Sequence, residues 1–216
     1  MRTSPDLSFE LPLWDQGLLP AGLDEAGRGA WAGPVSAGAV ILPADPVILL
    51  RLKGVRDSKQ MTPAQRQKWA EVIKQEALTW GIGFVSNEEI DEIGILPATR
   101  LAMQRALLGL AQPPQHLLVD ALKLPAQTLP QTAIIRGDSL CLSIAAASVL
   151  AKTGRDALMV DLALSHPGYG LERHKGYGTT AHRQAMLQLG LCPLHRRSYA
   201  PCRALLPADE KLVNLL

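Results

Sequence analysis

Aromatic residues are scarce in this chain, at 4% of 216 positions, and charge of either sign is modest, at 19%. The 22 Lys and Arg nearly balance the 20 Asp and Glu, leaving a net charge of +2. That excludes a polybasic nucleic-acid glue and a strongly acidic tail protein. Cysteine is limited to Cys141, Cys192 and Cys202, odd in number and widely spaced. They match neither a disulfide framework nor a zinc knuckle, so a reducing compartment is expected. The start, Met1 to Asp6, lacks the apolar core of a secretory signal. Long apolar runs are lacking too. Leu140 to Ala151 falls far short of a bilayer span, and Ala30 to Leu42 is broken by Gly33, Pro34 and Gly38. A cytoplasmic protein with no membrane partner is the expectation. Internal repeats and low-complexity tracts are also missing.

What is present is 47% hydrophobic residues, enough for a packed core and too many for a disordered chain. The length suits one domain, with room for a small helical appendage. Residues 1–20 read as an irregular lead-in. Ala21 to Glu25 and Val35 to Leu42 read as strands around the turn Gly27-Arg28-Gly29. Thr62-Pro63 opens a helix running to about Trp80, and Gly81 to Val85 follows as a third strand. Ser86-Asn87-Glu88-Glu89 caps a short helix, and a longer one spans about Pro97 to Leu110. His116 to Val119 and Thr132 to Ile135 are strand-like. Ser139 to about Ser165 is helical, and Thr180 to Leu189 forms a helix stopped by Gly190. Strands first paired, then alternating with helices, predict an α/β class with a mixed sheet covered by helices.

Four carboxylates fall at strand ends or helix starts: Asp24 and Glu25, Asp120, and Asp138. Acids gathered at one sheet edge repel each other unless a cation neutralises them. Hard divalent ions such as Mg2+ or Mn2+ prefer such oxygen ligands. Two of them about 3.5–4 Å apart would stabilise both the attacking and the leaving oxygen in phosphoryl transfer. Asp138 also fits as a cap for a helix starting at Ser139, and Asp120 as a turn residue. Asp24 and Glu25 are adjacent, so a regular strand points them to opposite faces. The strand is therefore expected to end, twist or bulge there, helped by Gly27 and Gly29.

The run Gly27-Arg28-Gly29…Gly33 is not a dinucleotide fingerprint, because strand rather than helix follows it. It reads either as a plain tight turn or as backbone that approaches a substrate closely. From Arg155 to Arg203 there are seven Lys or Arg against three Asp or Glu, and four of the five histidines. Within that region Tyr177 lies in Lys175-Gly176-Tyr177-Gly178, where its ring could stack on a base or sugar. Ser148 and Lys152 share one helical face, where they either contact phosphate or simply solvate that face.

Together these segments resemble bacterial ribonuclease HII, the type 2 ribonucleases H. The matching stretches are GLDEAGRGAWAGPVSAGAVIL at 22–42, DSKQMTPAQR at 57–66 and EEIDEIGILPATRLAMQRAL at 88–107. They continue with LLVDALKLP at 117–125, RGDSLCLSIAAASVLAKTGRD at 136–156, HPGYGLERHKGYGTTAHRQAM at 166–186 and GLCPLHRRSYAP at 190–201. The resemblance implies a ribonuclease H-like fold, with a five-stranded mixed sheet and a C-terminal helical portion. The catalytic domain would span 21–203 and a short helix 204–216, the latter packing on the domain or serving as a docking tail.

The resemblance further implies that Asp24, Glu25, Asp120 and Asp138 bind Mn2+ or Mg2+, two ions in the substrate complex. It implies hydrolysis of the RNA strand of RNA/DNA hybrids, and nicking 5′ to single ribonucleotides in duplex DNA. Gly27, Arg28 and Gly29 would meet the ribonucleotide-to-deoxyribonucleotide junction and Tyr177 the following sugar. Ser58, Lys59, Ser148 and Lys152 would complete the substrate contacts. A single copy is expected to act, with a replication clamp left open as a partner. Departures are mild: Ala121 stands where many members carry Gly, Arg136 where Lys is usual, and Cys141 where Ser is common. Leu96-Pro97 replaces a more usual polar run, and Asp156 is expected in a salt bridge rather than among the four acids.

Overall fold

The structure is a computed structural model and describes residues 4–207. A short helix α1 (Leu11–Trp14) leads into strand β1 (Pro20–Ala26), which pairs with antiparallel β2 (Val35–Ile41). After α2 (Ile48–Arg51) and a 3-10 turn at Ser58–Gln60 come α3 (Pro63–Glu76) and β3 (Thr79–Val85). Helices α4 (Asn87–Ile93) and α5 (Ile95–Leu108) precede β4 (His116–Asp120) and β5 (Gln131–Ile134). A 3-10 turn at Gly137–Ser139 leads to the long helix α6 (Leu142–Leu164). Helices α7 (Leu171–His174), α8 (Thr180–Leu189) and α9 (Ala200–Arg203) complete the described chain. The sheet order is β3-β2-β1-β4-β5, with β4 parallel to β1 and β5 parallel to β4. This is the expected mixed five-stranded α/β fold.

Local chemistry explains most element boundaries. Thr62 and Ser86 each form a complete capping box, with Gln65 and Glu89. Helix α3 stops at Glu76 rather than near Trp80, because Thr79 and Trp80 are taken into the edge strand opposite Ile41 and Val40. Asp138 does not cap α6. It sits in the preceding 3-10 turn, and Cys141 occupies the cap position without its side chain capping the helix. The carboxylate that serves this helix comes from far away in sequence. Glu10 Oε1 accepts from the Ser143 N–H at 2.8 Å and from Cys141 Sγ at 3.1 Å. Residues 5–20 are thus a packed segment rather than a loose lead-in, with Leu7 and Glu10 buried and Asp6 bridged to Cys141. Of the expected helix at 204–216, residues 208–216 lie outside the described residues.

Helix α6 covers one sheet face and α5 the other. Val40, Leu42, Ala145, Ala146 and Val149 share the first core, and Leu23, Ala37, Ile41, Ala102 and Met103 the second. The α6 side is unusually close. A Cβ at Gly38 would lie 2.4 Å from the Ala147 carbonyl oxygen, so only glycine lets helix and sheet meet there. That proximity sets the height at which α6 side chains look over the ends of β1 and β4.

Candidate active site

Of the expected end, twist or bulge of β1, neither an end nor a bulge occurs at the two adjacent acids. The β1–β2 register runs unbroken through Asp24↔Gly38, Glu25↔Ala37 and Ala26↔Ser36. The opening lies on the other side, where the parallel β1–β4 ladder ends at Leu23↔Val119. Asp24 and Asp120 are the next residues on each strand, at the carboxyl ends where open α/β sheets form their crevices. Asp24 shares the face of Gly22, beneath α6, and is 2% exposed.

Each acid is fixed by the backbone around it. Asp24 Oδ1 accepts from the Glu25 N–H at 2.7 Å, and Asp120 Oδ1 accepts from the Gly137 N–H at 2.7 Å. Asp138 follows that same Gly137, so β4 and the turn after β5 present their carboxylates together. Asp24 Oδ2 and Glu25 Oε2 are buried with no hydrogen-bond partner. Glu25 Oε1 pairs with Arg28 Nη1 at 3.2 Å.

Burial, then the charges of Glu25 and Asp120, holds the Asp24 carboxyl well above the ordinary range, against the hydrogen bond from the Glu25 N–H. Burial also raises Asp120, against its bond from Gly137, with Glu25 adding to the shift. Burial, Asp57 and Asp120 raise Asp138.

Asp57 joins these acids, although in sequence it reads only as the end of a connection. It caps the 3-10 turn by accepting from the Lys59 N–H at 2.9 Å, and its carboxylate meets that of Asp138. The same turn brings Lys59 Nζ to 3.8 Å from Asp138 Oδ2. Among the described residues, no three His, Cys, Asp or Glu side chains are already closed around an ion-sized point. The donor set nevertheless fits a hard cation. It is all oxygen, it carries two orphaned buried carboxylate atoms, and its acids resist ionising together.

Beside the acids is a cleft of about 260 Å³ lined by Glu25, Gly27, Arg28, Gly29, Ser58, Lys59, Lys152 and Tyr177. Eight of the residues singled out from sequence are therefore on one wall or the other. Ser148 is not among them. It is buried, and its hydroxyl donates to Ser58 Oγ at 2.9 Å. Lys152 Nζ is tied to Asp156 at 2.7 Å and lies 5.0 Å from the Tyr177 ring centroid. Asp156 also pairs with Arg66 at 3.3 Å, the salt-bridge role expected of it. Gly27 has φ of +90°, and a Cβ there would lie 2.1 Å from Arg155 Nε, so the turn needs glycine on two counts.

Part of the basic excess between 155 and 203 is turned inward and offers no grip on phosphate. Arg155 and Arg196 are both 0% exposed and face inward. Arg155 donates to the carbonyls of Pro34, Lys175 and Ala32, at 2.8, 2.8 and 3.1 Å. It thereby joins the loop of Gly27 to that of Tyr177. Nor do the histidines add positive charge inside: His182 and His195 are buried with Nε2 atoms 3.1 Å apart. Burial brings His182 down to about 4, so it is neutral at physiological pH, and its Nδ1 meets the Tyr177 carbonyl at 3.0 Å.

Ala121, immediately after Asp120, has φ of +50°, which is the left-handed region and explains why glycine is expected at this position. Ala121→Gly should therefore stabilise the protein by about 0.5–1 kcal/mol, the relieved strain exceeding the glycine entropy cost. Chemical denaturation would show a higher midpoint at unchanged slope, and a lower midpoint would contradict the strain.

The ribonuclease HII family model matches residues 21–202. The ribonuclease HII of Dehalococcoides mccartyi is 51% identical over 208 residues, covering 94% of this chain and 95% of its own. That of Chloroflexus aurantiacus is 50% identical over 211 residues, covering 95% and 99%. Among solved structures, ribonuclease H2 from Pyrococcus horikoshii aligns with a TM-score of 0.71 at 26% identity, over 92% of this chain and 99% of that one. With sequence and fold matched over most of its length around this acidic crevice, the chain belongs to the ribonuclease HII family, endonucleases that hydrolyse the RNA strand of RNA/DNA hybrids.

Proposed function

We propose that this protein nicks duplex DNA on the 5′ side of an embedded ribonucleotide, leaving 3′-hydroxyl and 5′-phosphate ends, besides cutting RNA/DNA hybrids. Asp24, Glu25, Asp120 and Asp138 would hold two divalent ions, Mn2+ or Mg2+. When bound, such ions supply activation of water and stabilisation of the leaving 3′ oxygen. The observation that carries this reading is the pair of orphaned buried oxygens, Asp24 Oδ2 and Glu25 Oε2, opening beside the glycine-lined cleft. No side-chain nucleophile is needed.

The chain's own residues do the rest. The Glu25 and Gly137 N–H groups lock Asp24 and Asp120 in orientation. A 2′-hydroxyl is what distinguishes ribose from deoxyribose, and the backbone of Gly27, Arg28 and Gly29 is placed to bond it. Tyr177, carried on the facing loop, offers its ring to the next sugar. Lys59 and Lys152 supply positive charge at the rim of the same cleft, favouring phosphate. Residues 21–203 form the working unit, acting as a single copy.

A duplex carrying one ribonucleotide tests this directly. With Mn2+ or Mg2+ the labelled strand should be cut once, 5′ to the ribonucleotide, while the all-deoxy duplex stays intact. Cleavage of long hybrids only, or no dependence on a divalent ion, would overturn the proposal.

A further inference from the structure

Behind the Gly27–Gly29 turn lies the buried guanidinium of Arg196. Arg196 is 0% exposed, and among the described residues it forms no salt bridge to an acid. Its Nε donates to the Gly33 carbonyl at 3.0 Å, and Nη1 donates to the Arg28 carbonyl at 2.8 Å and to the Tyr199 hydroxyl at 3.0 Å. Nη2 is buried without a partner. A buried guanidinium with no carboxylate costs several kcal/mol in general, so its retention calls for a local benefit.

The benefit is legible in what it holds. The Arg28 carbonyl accepts from Arg196 Nη1 and also from the Tyr199 hydroxyl, at 2.5 Å. Two donors from directions fixed by the Arg196 backbone, itself bonded to the Trp31 carbonyl at 2.8 Å, leave that carbonyl one orientation. In a trans peptide the C=O and the following N–H point in opposite directions. Pinning the Arg28 carbonyl inward therefore aims the Gly29 N–H outward. Outward is the cleft: Gly29 lines it, and a Cβ there would meet nothing within 4 Å. A positive charge behind the carbonyl also polarises the peptide, making the Gly29 N–H a stronger donor.

We propose that Arg196 and Tyr199 are positioning residues that fix the Arg28–Gly29 peptide plane and so set the preference for a 2′-hydroxyl in the cleft. The proposal rests on the turn reading that hydroxyl, as argued above. Neither side chain touches substrate. They act through a peptide unit that does.

The test measures preference rather than activity. In an Asp24→Asn background, where turnover is blocked, anisotropy gives Kd values in Mg2+ for two labelled duplexes differing only in one 2′-hydroxyl. The parent should bind the ribonucleotide duplex more tightly. Adding Tyr199→Phe should shrink that ratio by roughly three- to tenfold, the loss of one polar contact, with the all-deoxy Kd unchanged. Arg196→Lys, which keeps the charge but loses the fork, should shrink it likewise. Should that variant fail to fold, Tyr199→Phe alone decides, since its ring stays in place. An unchanged ratio, or equal weakening on both duplexes, overturns the positioning role. A parent with no preference overturns the reading of the turn itself, and the proposal with it.

Discussion

Asp24→Asn should lose at least about a thousandfold in kcat, about 4 kcal/mol of barrier, while making the metal-free protein more stable. Both effects have one cause. Asp24 is a carboxylate buried against α6 with an oxygen that nothing in the chain satisfies, next to Glu25 and Asp120. An amide keeps the shape and the acceptor for the Glu25 N–H but removes the buried charge. The gain should be about 2 kcal/mol, or roughly 4–8 °C in Tm for a domain of this size. Its pH dependence has a definite sign. Burial raises the folded-state Asp24 value, so the carboxyl stabilises the fold only while protonated, below the ordinary aspartate range. That contribution is lost as pH rises through the raised folded value. The variant's advantage should thus grow as pH rises and shrink towards pH 4. Mn2+ or Mg2+ should raise the wild-type Tm more than that of the variant. A wild type more stable than Asp24→Asn at pH 8 without metal would contradict the electrostatic picture.

Arg155→Ala should be the most damaging single truncation away from the acids, at about 3–5 kcal/mol. Burial lowers the Arg155 value to about 10, which still leaves the guanidinium charged at neutral pH. Removing it strands the carbonyls of Ala32, Pro34 and Lys175 and empties the space above Gly27. Denaturant melts should show the midpoint falling steeply, with a Tm loss of roughly 10 °C. Arg155→Lys should recover little, because one ammonium cannot span three carbonyls on two loops. A loss below about 1 kcal/mol would mean that those carbonyls find other donors.

The four acids, the glycine turn and Tyr177 were legible in sequence because each stands beside a strand end or a break in hydropathy. So were the hydroxyl caps at Thr62 and Ser86, whose chemistry is local. What was not legible depends on distant partners. Nothing near Ser143 announces that its helix is served by Glu10, 133 positions away. The burial of Arg155 and Arg196 was not legible either, because arginine is almost never fully buried. Asp57 read as a connection because its neighbours there, Ser58 and Lys59, form no strand end. The parting of β4 from β1 after Leu23 and Val119 was not legible for a related reason: a sequence shows where a strand can bend, not where its partner leaves it.

The closeness of α6 to the sheet also has a consequence for how the chain is made. Ser36 on β2 donates to the Ala151 carbonyl of α6 at 3.0 Å, across 115 positions. The hairpin carrying Asp24 is therefore synthesised long before the helix that covers it, and this closure must await contacts of high sequence separation. Until then Asp24 stays hydrated and titrates as any aspartate does. The unusual acidity at the heart of the site is acquired late, when the helix lands on the sheet, so an incomplete chain has the acid without its chemistry.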